Sequence, residues 1–158
     1  MKVLQRILSN WISRSVYAAI GSVHLSLVRR WMKIIFEGLA DLHSETATHK
    51  PMIHGRIRLP SLFYFRSTGQ VRVGGYYWTS HIHRSNGRRR IVPSLVASHV
   101  DYRGYYPAEV FRSGHWGPGV DIYATGMSIL HLLSGCQPYG ELDSDSFVLD
   151  AILRVGVA

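Results

Sequence analysis

The 158 residues predict a mainly α-helical chain with one small β-hairpin, and three observations carry that reading. Leu27, Trp31, Ile34, Ile35, Gly38 and Leu42 recur at helical spacing over about residues 26–44. The runs "SLFYF" (61–65) and "QVRVG" (70–74) flank the turn signal "RSTG", which is the pattern of a hairpin. The stretch "GHWGPGVDIYATGMSILHLLSG" (114–135) is a Gly/Pro-rich loop opening into a long apolar helix.

Taken in order, the chain starts with a short amphipathic helix, Leu4 to Ile12, with Leu4, Ile7, Leu8, Trp11 and Ile12 on one stripe. Gly21-Ser22 interrupts the pattern, and Ser26 is a suitable N-cap for the helix that follows. A polar loop leads to Pro51 and then to the hairpin. Residues 76–108 hold no lasting periodicity and are expected to be irregular. In the apolar helix Val120, Ile122, Tyr123, Met127, Ile129, Leu130, Leu132 and Leu133 lie nearly all round the axis, so burial on all sides is expected. Gly135 closes it, "QPYG" turns the chain, and Ser146 to Val155 forms a last helix.

Bulk properties narrow the class. A chain this long fits one domain with a sizeable core, and 46% hydrophobic with 18% charged residues is a globular composition. Cys136 is the sole cysteine, which excludes an internal disulfide and a cysteine zinc site. The longest apolar region, Val120 to Cys136, contains Asp121 and His131 and is too short and too polar for a membrane span. Net charge is +8, and 15 of the 18 basic residues are arginine. Scattered arginines make a solvated basic face, and nucleic acid is not the favoured partner. The run "RSNGRRR" gathers Arg84, Arg88, Arg89 and Arg90 into a candidate interaction loop for an acidic partner. "HIH" (81–83) lacks a third ligand, so no metal is expected there. Residues 1–36 carry no acidic side chain; a mitochondrial presequence is therefore a minor alternative to a cytoplasmic or nuclear location.

The order of motifs is more informative than any one of them. "ADLHS" (40–44), "MIHGRIRLPS" (52–61), "VRVGGYY" (71–77), "YYPAEVF" (105–111) and "VDIYATGMSILHLLSG" (120–135) together resemble the C-terminal lobe of a protein kinase. The resemblance covers roughly residues 2–156 and implies an incomplete kinase-like domain with its N-lobe absent. "IHG", "RRW" (29–31) and "DIYATGM" (121–127) are similar to the nuclear-receptor-binding-protein pseudokinases, relatives of the with-no-lysine kinases.

On that resemblance, the catalytic base position is Arg56, and the magnesium-ligand positions are Ser61 and Gly75. A guanidinium is always protonated and cannot accept a proton. His54, Asp121 and Glu109 match scaffold positions: a histidine bracing the loop, an aspartate accepting its backbone N–H groups, and a glutamate whose usual arginine lies in a later helix. His54 is thus read as a packed structural histidine. Leu59, Leu62, Phe63 and Phe65 are available for packing, and of Tyr102, Tyr105 and Tyr106 at least one should pack on the helices. The resulting expectation is a non-enzyme without cofactors: a pseudokinase adaptor or scaffold that binds other proteins through the lobe. Two alternatives stand beside it, a divergent serine/threonine kinase and a basic targeting or nucleic-acid-binding protein. Without the later helices, apolar surface is expected to be exposed and stability marginal.

Overall fold

The computed structural model describes residues 25–47, 50–76, 79–81, 83–85, 88–90, 100–113 and 116–155. The expected helix Leu4 to Ile12 and the basic N-terminal segment lie outside the described residues. Among them the fold is mainly helical with small antiparallel strand pairs. Helix α1 spans Leu25–His43, α2 Ala108–Ser113, α3 Pro118–Ser134 and α4 Asp145–Val155. Strands β1 (Met52–Ile53) and β4 (Ser80–His81) pair, as do β2 (Leu62–Phe65) with β3 (Gln70–Val73) and β5 (His83–Ser85) with β6 (Arg88–Arg90). Short 3-10 segments cover Leu59–Ser61 and Val100–Tyr105.

The β2–β3 hairpin is closed at Gly69, whose φ of 65° is one that a β-carbon disfavours. Its amide donates to the Phe65 carbonyl at 2.8 Å. Register places Leu62 opposite Val73 and Tyr64 opposite Val71. Strand alternation turns these four toward α1. Leu62 and Val71 are buried with Trp31, Ile35 and Leu39 of α1. The Trp31 ring lies 5.2 Å from that of Tyr64, and its Nε1–H donates to the Gly69 carbonyl at 3.2 Å. Of the four side chains offered for packing, Leu59 and Leu62 are buried, but Phe63 and Phe65 are exposed. The same alternation explains this: both stand on the outer face of the hairpin, where the Arg72 guanidinium lies 5.2 Å above the Phe65 ring.

Helix α3 starts at Pro118 after an extended Gly117 and ends at Gly135, whose φ is 74° and whose N–H returns to the His131 carbonyl. Burial on all sides is not what the structure shows. The inward stripe is Val120, Asp121, Ala124, Thr125, Ser128 and Leu132, while Ile122, Leu130 and Leu133 are exposed. Thr125 and Ser128 tolerate full burial because each hydroxyl donates to the carbonyl four residues earlier, at 2.7 Å. The outward leucines and isoleucine supply the exposed apolar surface, joined by Phe147 on α4.

Within 76–108, β4, the β5–β6 pair and the 3-10 turn give short regular pieces where irregular chain was expected. The register sets Arg84 opposite Arg89 in that pair. Tyr105 and Tyr106 are both buried. The Tyr105 hydroxyl bonds His131 Nδ1, tying the 3-10 turn to α3.

Candidate functional site

Residues 53–61 run between two hydrophobic clusters. Ile53 packs with Tyr106, Val110, Trp116 and Val120, whereas Ile57 and Leu59 join the cluster around Trp31 and Ala124. These apolar anchors pin the loop at both ends, and its polar groups converge on one carboxylate.

That carboxylate is Asp121, in the first turn of α3, where the helix dipole favours negative charge. It has no exposed surface. Its Oδ2 accepts the His54 amide and bonds His43 Nε2, both at 2.8 Å, and its Oδ1 accepts the Gly55 amide at 2.8 Å. Gly55 adopts a φ of 71°, which lets consecutive amides point at the same acceptor. His43, at the end of α1, was not singled out in the sequence; the only signal was a histidine within "ADLHS".

His54 is also fully buried. Its Nδ1 accepts the Arg56 amide at 3.3 Å and its Nε2 faces the Gly74 carbonyl at 3.1 Å, which fits a neutral ring protonated at Nε2. Burial lowers its pKa from the ordinary 6.5, outweighing the opposite pulls of Asp121 and the Gly74 carbonyl. The ring therefore links the loop to the end of the hairpin. The Tyr76 ring stands edge-on at 5.2 Å.

Ser61 is turned inward on its own loop. Its hydroxyl donates to the Arg58 carbonyl at 2.7 Å and accepts the Arg58 amide at 2.9 Å. Gly75 has a φ of 89° and no side chain. Magnesium takes hard oxygen ligands in near-octahedral geometry. A guanidinium at 56, a hydroxyl committed to its own turn at 61 and a glycine at 75 do not fit that ion.

Arg56 and Arg58 are half-buried on the loop. Tyr106 anchors it from the other side, its hydroxyl donating to the Gly55 carbonyl at 3.2 Å. Burial raises the Tyr106 pKa, while the charges of Arg56 and Arg58 pull it down. Glu109 lies apart from this cluster, exposed on α2. Its charge contributes, after burial and the Tyr139 hydroxyl, to raising the Tyr123 pKa far above 10. Arg84 and Arg88–Arg90 lie on β5 and β6, outside the 53–61 loop. Of "HIH", residues 81 and 83 are in strands, and 82 is outside the described residues. Among the described residues no three metal-ligating side chains gather.

Comparison with known proteins gives the following. No family model matches the chain. It is 28% identical over 118 residues to the serine/threonine-protein kinase pkpA of Phycomyces blakesleeanus, covering 75% of this chain and 17% of that protein. It is 28% identical over 119 residues to the probable serine/threonine-protein kinase WNK8 of Oryza sativa, covering 74% of this chain and 17% of the relative. Mouse serine/threonine-protein kinase WNK3 is 27% identical over 115 residues, 73% of this chain and 6% of the relative. The chain thus spans about a sixth or less of these curated relatives. They support a kinase-like protein. They also correct the expectation of a non-enzyme. That expectation rested on Arg56, Ser61 and Gly75, but the relatives are named serine/threonine kinases, which points to a kinase.

Proposed function

We propose that the chain is the protein-substrate lobe of a serine/threonine-protein-kinase-like protein. One observation carries the reading. The buried Asp121 carboxylate holds the His54 and Gly55 amides and His43 together, so the loop at 53–61 is a preorganised platform. Kinase catalysis is mostly positioning, and a rigid loop beside a packed hairpin is what positioning requires. The names of the relatives support serine or threonine side chains of proteins as the acceptor. Arg56 at its centre cannot accept a proton, and His54 is buried with both ring nitrogens bonded, so the proton acceptor of the reaction comes from outside residues 53–61.

The second reading is protein binding through the lobe. It is favoured by the exposed Ile122, Leu130 and Leu133 of α3, a surface of the kind that marks contact sites. The likeness to the nuclear-receptor-binding branch rests on "IHG", "RRW" and "DIYATGM" alone.

The test is phosphoryl transfer by the full-length protein, followed with labelled ATP on a serine/threonine-containing protein. Label appearing on serine or threonine supports the reading. Transfer absent from a folded full-length protein removes it.

A further inference from the structure

Strand β2 is paired on one side. Its antiparallel partner is β3, and the two form a two-stranded sheet. Helix α1 lies mainly against β3, which leaves β2 as the open edge among the described elements. Exposure agrees: Phe63 and Phe65 on the outer face and Tyr64 on the inner face are 37–44% exposed. The ladder fixes which backbone groups face outward. The Gly74 amide donates to the Ser61 carbonyl at 2.8 Å, so 61–74 is a hydrogen-bonded pair. Bonded pairs alternate along an antiparallel ladder, and the register makes Phe63–Arg72 and Phe65–Gln70 the next two. The N–H and C=O of Tyr64 and the carbonyl of Leu62 therefore point away from β3. The Leu62 amide itself returns to the Leu59 carbonyl. "LFYF" contains neither a charge nor a proline, two of the devices that usually protect a strand edge.

We propose that β2 is a self-association edge, through which two copies of this chain pair antiparallel about a two-fold axis at Tyr64. In that register the two Tyr64 residues exchange N–H···O=C bonds, and each Arg66 amide reaches the Leu62 carbonyl of the second copy. Phe63 of each copy stands opposite Phe65 of the other on the outer face, which makes two aromatic cross-strand pairs. A second copy is the fitting occupant because the strand is its own complement: the same uncharged aromatic run supplies both sides. Charge permits the pairing although the chain carries a net +8. The two Arg66 residues lie four positions apart along the junction, about 14 Å at strand rise, beyond the screening length of about 8 Å at physiological salt. Each copy uses its edge once, so the assembly closes at two. None of this depends on phosphoryl transfer, and either can fail without the other.

Sedimentation velocity of the full chain over a concentration series should show a monomer–dimer equilibrium with a dissociation constant of about 10–100 μM, as for a small transient interface. Residue-resolved hydrogen exchange should show the Tyr64 amide gaining protection as the dimer fills. The Phe63 amide, bonded to β3 in either state, should not change. Tyr64→Pro removes the central donor and should weaken the dimer about tenfold or more. Phe63→Lys and Phe65→Glu, both at exposed positions, should each weaken it about tenfold by removing the aromatic pairs. Combined in one chain they should recover most of that loss, because the two positions face each other across the junction. Thermal melting checks that each variant is folded. If Tyr64→Pro is not, since Tyr64 packs on Trp31, the exposed pair carries the test. A chain that stays monomeric at about ten times the expected dissociation constant overturns the proposal. So does a dissociation constant unchanged by the substitutions. So does Tyr64 protection independent of concentration, which would mean that the edge is covered within one copy.

Discussion

Replacing Asp121 by asparagine changes one atom of a fully buried side chain and should cost the protein a large share of its stability. The carboxylate accepts three hydrogen bonds, all at 2.8 Å, from the His54 amide, the Gly55 amide and His43 Nε2. An asparagine keeps one acceptor oxygen. Placed where Oδ2 now sits, it still serves His54 and His43, but its amide nitrogen then meets the Gly55 N–H, donor against donor. A hydrogen bond to a charged group is worth about 1.5–3 kcal/mol, and a buried N–H left unsatisfied costs about 1–3 kcal/mol. These overlap, and about 3 kcal/mol is the reasonable total. Domains of this size are stable by only about 5–15 kcal/mol. With a urea slope of about 2 kcal/mol per molar, the midpoint should fall by about 1.5 M. Hydrogen exchange should show the His54 and Gly55 amides losing protection first. Asp143→Asn, at an exposed acid, is the control and should stay within about 0.5 kcal/mol. A midpoint for Asp121→Asn no lower than that of the control would refute the central role given to this carboxylate.

Other outcomes follow from the same geometry. Burial lowers the pKa of both His54 and His131. A depressed folded-state value means that protons bind the unfolded chain better, so this stability is present above pH 6.5 and is lost as pH falls below it. Urea midpoints across that range should decline, and His131→Asn should flatten the slope. In α3, a β-carbon on Gly126 meets nothing within 4 Å, so Gly126→Ala should stabilise by about 0.5–1 kcal/mol and raise the melting temperature by a few degrees. By contrast a β-carbon on Gly104 would lie 2.7 Å from the Pro138 carbonyl oxygen, and Gly104→Ala should cost about 1–3 kcal/mol on the same melt. Leu130→Lys, at an exposed position, should change stability by less than about 0.5 kcal/mol while reducing self-association measured by light scattering.

The regular elements were legible because each has a local cause. Helical spacing from Leu27 to Leu42 places α1, and "RSTG" ending at a left-handed Gly69 places the hairpin. Burial was less legible, because periodicity counts residue types and not partners. Helix α3 is apolar nearly all round, so its periodicity could not show that the inward stripe would include Asp121, Thr125 and Ser128 beside Val120, Ala124 and Leu132. Those three are polar groups whose hydrogen bonds are met within the helix or by a distant loop. Phe63 and Phe65 misled for the converse reason: both are hydrophobic, but alternation assigns them to the outer face of the hairpin, which no described element covers.

The site divides along the same line. His54 and Asp121 can be named from motif order, but the bonds that join them span 67 residues of sequence. His43 completes the cluster from 78 residues before Asp121, and nothing local to it signals that role. Position 56 shows the limit most clearly. The sequence shows a missing base there, and absence alone argues for an inert loop. The structure adds what surrounds it: the His54 and Gly55 amides held by the buried Asp121 carboxylate, and the Gly55 carbonyl held by the Tyr106 hydroxyl. Retention of the fold in Arg56→Gln, with the His54 and Gly55 amides still protected from hydrogen exchange, would show that the loop is held by Asp121 and not by the residue at 56.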